Sequence, residues 1–147
     1  DLKEELYKDL TLWSWKKPVE ELMDFWFSGE AYVNLDFRDY VLNLRKKNIK
    51  CFLSTNNEKY RCEYLWNVAG LSSVFNGIFA SSTVGHFKEE QRFWEKVYKN
   101  FSSVEKKDIL VWDDDRINVE SAKQFGFNTE FYKDFSDFKT IMQKYQL

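Results

Sequence analysis

Ile109-Leu110-Val111-Trp112-Asp113-Asp114-Asp115-Arg116-Ile117-Asn118-Val119 is the stretch on which the fold turns. Four apolar residues in a row read as a short strand buried on both faces, the kind found inside parallel sheets. Adjacent carboxylates directly after such a strand repel one another, so decoration is a poor explanation for them. Downstream, a helix is expected from about Asn118 to Phe125, ending at Gly126, and a strand from Thr129 to Tyr132. Phe138, Ile141, Met142 and Tyr145 mark a closing helix.

Upstream the same alternation continues. Ile49 to Leu53 reads as a strand, followed by Ser54-Thr55-Asn56-Asn57 and a helix through Tyr60, Leu65 and Val68 that Gly70 terminates. Phe75 to Phe79 approach another strand, and Phe93, Trp94, Val97 and Tyr98 share one helix face. Strands alternating with helices predict an α/β fold, a Rossmann-like parallel sheet with helices on both faces. Before it lie two helical stretches. One begins at Pro18, carries Val19, Leu22, Met23 and Trp26, and is expected to end at Ser28-Gly29. The other runs from about Asp36 to Lys46, Lys47 and Asn48. Residues 1–34 are therefore read as part of a small helical cap, and 35–147 as the α/β core.

Composition narrows the function classes. In 147 residues the apolar fraction is 44%, aromatics reach 19% and the net charge is -2. A folded domain follows, and neither a basic stripe nor a basic tail offers a grip on nucleic acid or membrane. Cys51 and Cys62 lack metal-ligand spacing and are expected as reduced thiols in a cytoplasmic protein. No signal-like segment or membrane-spanning apolar run stands out.

Chemistry collects after the strands: Thr55-Asn56, then Lys88, then Asp113-Asp114-Asp115. Ligands of open parallel sheets bind beyond the carboxyl ends of the strands, so these groups are expected at one rim. Hydroxyl and backbone N–H groups hold phosphoryl oxygens, a lysine neutralises charge, and a carboxylate pair suits Mg²⁺. Taken singly, Thr55-Asn56 also reads as turn chemistry, Lys88 beside Glu89 and Glu90 as a solvated first helical turn, and the acids as a helix N-terminus.

In combination they resemble the haloacid dehalogenase-like hydrolases, from about Cys51 to Asp134. The matching pieces are Cys-Phe-Leu-Ser-Thr55-Asn56, then Ala-Ser-Ser-Thr-Val-Gly85-His-Phe-Lys88, then Ile-Leu-Val-Trp-Asp113-Asp114 with Asn118-Val119 beyond. The resemblance implies that Thr55, Asn56 and Lys88 bind a phosphoryl group, with Lys88 also pairing with the nucleophile. Asp113 and Asp114 would serve Mg²⁺, Asp114 would orient a metal-bound water or Lys88, and Asn118 would support the acidic loop. It further implies a phosphatase acting on a small phosphorylated metabolite through an aspartyl-phosphate intermediate, with oligomeric state open. Asp113→Asn is expected to abolish turnover while leaving the fold largely intact.

Two departures from the family pattern are visible. Glu89 follows the lysine where the family usually has proline. No Asp-x-Asp ends an apolar strand upstream of the cap, the place of the family's attacking aspartate. Asp1, Glu4, Glu5 and Asp9 lie in polar, helix-like sequence, and Asp36 and Asp39 lie on a helix. A chain opening on Asp1 leads to the expectation that the intact protein supplies this strand. The alternative is a non-catalytic pseudoenzyme or binding module. A phosphorylatable receiver domain would place its acids first and its lysine last, the reverse of the order here. A dehalogenase proper would lack the adjacent acids.

Overall fold

The computed structural model describes residues 1–10, 12–101 and 103–145. Helices α1 (Leu2–Leu10), α2 (Val19–Glu30) and α3 (Leu35–Lys46) lead into strand β1 (Leu53–Thr55). Next come α4 (Lys59–Glu63), continued by a π-helical turn at Tyr64–Val68, then α5 (Leu71–Val74), β2 (Ile78–Ala80) and α6 (Ser81–Val84). The chain closes with α7 (Gln91–Tyr98), β3 (Leu110–Asp113), α8 (Arg116–Phe125), β4 (Asn128–Phe131) and α9 (Phe135–Met142).

All strand pairing among the described residues is parallel, as the alternating pattern predicts, yet the sheet is divided. β1 pairs with β2, with Leu53 opposite Ile78 and Thr55 opposite Ala80, and β3 pairs with β4, with Asp113 opposite Phe131. Neither pair is hydrogen-bonded to the other. Helices cover both faces of β3, and its period-two alternation shows how. Val111 packs with Phe93, Trp94 and Val97 of α7 and Ala122 of α8. Its neighbours Leu110 and Trp112 pack on the other face, with Leu44 of α3 and Phe138 and Met142 of α9. A separate cluster joins Leu6 and Leu10 of α1 to Val19, Met23 and Phe27 of α2, against Tyr60 and Tyr64.

Several boundaries differ from the sequence reading, each for a local reason. The first strand starts at Leu53, not Ile49. Ile49 is used to close α3, donating its N–H to Leu44 O beside Asn48 at φ 63°, and the Cys51 N–H goes to Asn76 Oδ1. The Ser28-Gly29 pair does not stop α2, which runs on to Glu30 with the Ser28 hydroxyl bonded back to Phe25 O. Lys88 lies before α7 rather than in its first turn. α8 starts at Arg116, two residues early, because Asp115 caps it by accepting the Ile117 N–H at 2.9 Å. That cap divides the acidic triplet into unlike environments.

Candidate active site

Lys88 is tied down by all three of its polar groups, to three different elements. Its backbone N–H donates to Asn56 Oδ1, just beyond β1, at 2.9 Å. Its carbonyl accepts from Trp94 Nε1 of α7 at 2.8 Å. Its ammonium meets Asp113 Oδ2, at the end of β3, at 2.6 Å. These bonds bring the carboxyl ends of β1 and β3 together although no ladder joins the two strand pairs.

Asp113 is only 6% exposed and Lys88 9%. A carboxylate buried so deeply needs its lone pairs satisfied. Oδ2 takes the ammonium, while Oδ1 accepts from the Asp115 N–H at 2.9 Å and from Asn118 Nδ2 at 3.1 Å. Asn118, itself buried on the first turn of α8, thus braces the acidic loop. Asp114 is exposed. Its charge reaches Tyr132, whose phenol is pushed above its usual pKa by burial first and then by Asp134 and Asp114. Thr55, half-buried at the end of β1, accepts from Asn57 Nδ2 at 2.6 Å and keeps its hydroxyl proton to donate.

A family model for haloacid dehalogenase-like hydrolases matches residues 1–126. The chain belongs to that family. No curated protein matches it. Among solved structures, a HAD family enzyme from Bacteroides thetaiotaomicron is similar at 20% identity and a TM-score of 0.65, over 75% of this chain and 56% of that one. The same enzyme solved with magnesium and inorganic phosphate gives 21% identity and a TM-score of 0.62, over 72% and 57%. A predicted HAD-like family hydrolase from Porphyromonas gingivalis gives 21% and 0.66, over 78% and 58%. At such identities the likeness speaks for the fold. The chain spans little more than half the length of these solved proteins.

Within this family member the structure links Asn56, Lys88, Asp113 and Asn118 by hydrogen bonds, with Thr55 preceding Asn56 in the chain and Asp114 exposed next to Asp113. The carboxylate that holds the lysine is Asp113. One expectation needs correcting, that Asp113 serves an ion more than the core: it pairs with a buried lysine, so Asp113→Asn is expected to disturb the fold.

Sequence reading passed over two supports of this site. Trp94 and Ser121 are both buried, and Trp94 Nε1 lies 3.1 Å from Ser121 Oγ while it holds the Lys88 carbonyl. Gln91 Nε2 donates to Ser121 O at 2.8 Å. The helical apolar pattern marks Trp94 as core, and only its indole N–H, which needs a partner when buried, hints at more. A cleft of about 470 Å³ bordered by Arg45, Lys46, Lys50 and Asn76 lies near the opposite ends of β1 and β2. Its Arg45 is held by the carbonyls of Ser73 and Val74, and it takes no part in this rim.

Among the described residues no three His, Cys, Asp or Glu side chains converge as a metal cage. Mg²⁺ does not need one, since it is held by one or two carboxylates with waters and substrate phosphate. Exposed Asp114 beside Asp113 meets that requirement in donor type.

Proposed function

We propose that the protein carrying this chain is a Mg²⁺-dependent phosphatase acting on a small phosphorylated metabolite. The observation that supports this reading is that Lys88 is bonded both to Asn56, which follows Thr55 at the end of β1, and to Asp113, the first of two adjacent carboxylates at the end of β3. Thr55 would donate its hydroxyl to a phosphoryl oxygen. Lys88, fixed by Asp113, would neutralise the charge that develops on the phosphoryl group in the transition state. Asn56 would hold its neighbour Lys88 in register and offer its second amide proton to the substrate. Asp113 and Asp114 would hold the ion, which when bound supplies charge neutralisation of the phosphate, and Asn118 would keep the acidic loop in shape. None of these residues is a nucleophile.

The attacking aspartate is proposed to stand on a strand between β1 and β3, where its carboxylate would displace the substrate's ester oxygen from phosphorus, releasing the protonated alcohol and giving an aspartyl-phosphate that water then hydrolyses to phosphate. Two-stranded sheets are marginal alone, and one more strand there would join the two pairs into one five-stranded sheet. Residues 1–34 would act as part of the cap: α1 and α2 pack on Tyr60 and Tyr64, just beyond the Thr55–Asn57 turn, and Lys59 Nζ reaches Asp1 Oδ2 at 2.6 Å. The proposed setting is the cytoplasm, and the partner a metabolite rather than nucleic acid or membrane. No helix among the described residues is long and apolar enough to cross a membrane.

Phosphate release from p-nitrophenyl phosphate by the full-length protein, with and without EDTA, tests this reading. Turnover that needs Mg²⁺ and disappears in Lys88→Ala supports it; metal-independent turnover refutes it. One observation favours a second reading, a pseudoenzyme that binds without turning over. Every early acid lies in or beside a helix, with Asp1, Glu4, Glu5 and Asp9 at α1 and Asp36 and Asp39 on α3. Binding of inorganic phosphate with no hydrolysis under any metal condition would favour that alternative.

A further inference from the structure

We infer that Glu89 is a positioning residue for Lys88, acting through the side-chain amide of Asn56. This rests on the reading of Lys88 as a phosphoryl-binding lysine. The Asn56 amide is engaged at both ends: Oδ1 accepts the Lys88 N–H at 2.9 Å, and Nδ2 donates to Glu89 Oε2 at 3.2 Å. An ionised carboxylate only accepts, so Glu89 permits one orientation of that amide. Rotated by half a turn, the amide would set its NH₂ against the Lys88 N–H, donor facing donor, and its oxygen against the carboxylate. Glu89 therefore selects the rotamer that holds the lysine.

The other two anchors of Lys88 are buried: Trp94 is 2% exposed and Asp113 6%. The Asn56 bond lies on the solvent side, where water competes most, so this hold benefits most from a second contact. It also bears on residue 89. A proline there would restrict the backbone of Lys88 to extended conformations through its ring. Glu89 has no ring, and its bond to Asn56 restrains the same residue by another route.

The test uses the full-length protein and p-nitrophenyl phosphate. Glu89→Ala is expected to lower kcat about 3- to 10-fold, the worth of one ordinary hydrogen bond, with KM little changed. Glu89→Gln, which keeps an acceptor oxygen, should recover most of the loss. Asn56→Ala with Glu89→Ala should be no worse than Asn56→Ala alone. A second readout does not depend on turnover: hydrogen exchange of the Lys88 amide should quicken about 3- to 10-fold in Glu89→Ala and stay near wild type in Glu89→Gln. Equal behaviour of the Ala and Gln variants would show that Glu89 acts by charge alone and would overturn the inference. So would unchanged Lys88 exchange in Glu89→Ala. Lys88→Ala keeps the two questions apart: full turnover in that variant defeats the functional reading, whereas its loss alongside a wild-type Glu89→Ala defeats this inference only.

Discussion

Replacing Asp113 by asparagine should cost the protein stability as well as turnover. The amide keeps the acceptor for Asp115 N and Asn118 Nδ2, but it turns an NH₂ group toward the Lys88 ammonium, 2.6 Å from the present Oδ2. The lysine charge is then left in a buried place without its counter-ion. Breaking a buried pair in this way costs about 3 to 5 kcal/mol. Lys88 stands at a rim with 11% of its side chain exposed, so the lower end, about 3 kcal/mol, applies. With a urea dependence of about 2 kcal/mol/M, the unfolding midpoint should fall by roughly 1.5 M. Adding Lys88→Met to Asp113→Asn removes the stranded charge and should restore much of the loss. The assay is urea unfolding of wild type, both single variants and the double variant, read as a double-mutant cycle. A midpoint for Asp113→Asn within error of wild type would refute the reasoning. A double variant less stable than Asp113→Asn alone would refute it as well.

Trp94→Phe removes the N–H that satisfies the Lys88 carbonyl and leaves a smaller ring in a fully packed place. The expected loss is about 2 to 4 kcal/mol in urea unfolding, accompanied by lower turnover. Tyr145 gives a pH prediction. Burial, followed by its 2.7 Å hydrogen bond to Glu130, pushes the phenol from 10.0 to about 12. A pKa raised in the folded state means stability that is whole below pH 10 and is lost as the pH climbs toward 12. The stability difference between wild type and Tyr145→Phe should therefore stay level up to about pH 10 and shift across the interval to 12. A difference that does not change over that interval would count against this account.

The alternation of apolar runs and helical stretches was enough to specify a parallel α/β fold, because burial on two faces imposes a continuous apolar run that few other settings require. Thr55, Lys88 and the acids after Trp112 stood out because together, in order and spacing, they resemble the haloacid dehalogenase-like pattern; Thr55 and Asp113 end strands, whereas Lys88 lies beyond α6 and is held by its bonds to Asn56, Trp94 and Asp113. Boundaries were less legible. The start of β1 depends on Asn76, distant in sequence, which takes the Cys51 N–H. The span of α8 depends on whether Asp115 turns its side chain to Ile117. Identical letters at 113, 114 and 115 gave no sign that one would be buried against a lysine, one exposed and one a helix cap. Only the tertiary structure decided that, because burial and pairing are set by neighbours that α7, α8 and the turn after β1 bring together. The same holds for Trp94 behind Lys88 and for Glu89 beside Asn56: hydrogen bonds between distant residues leave no periodicity in a single chain.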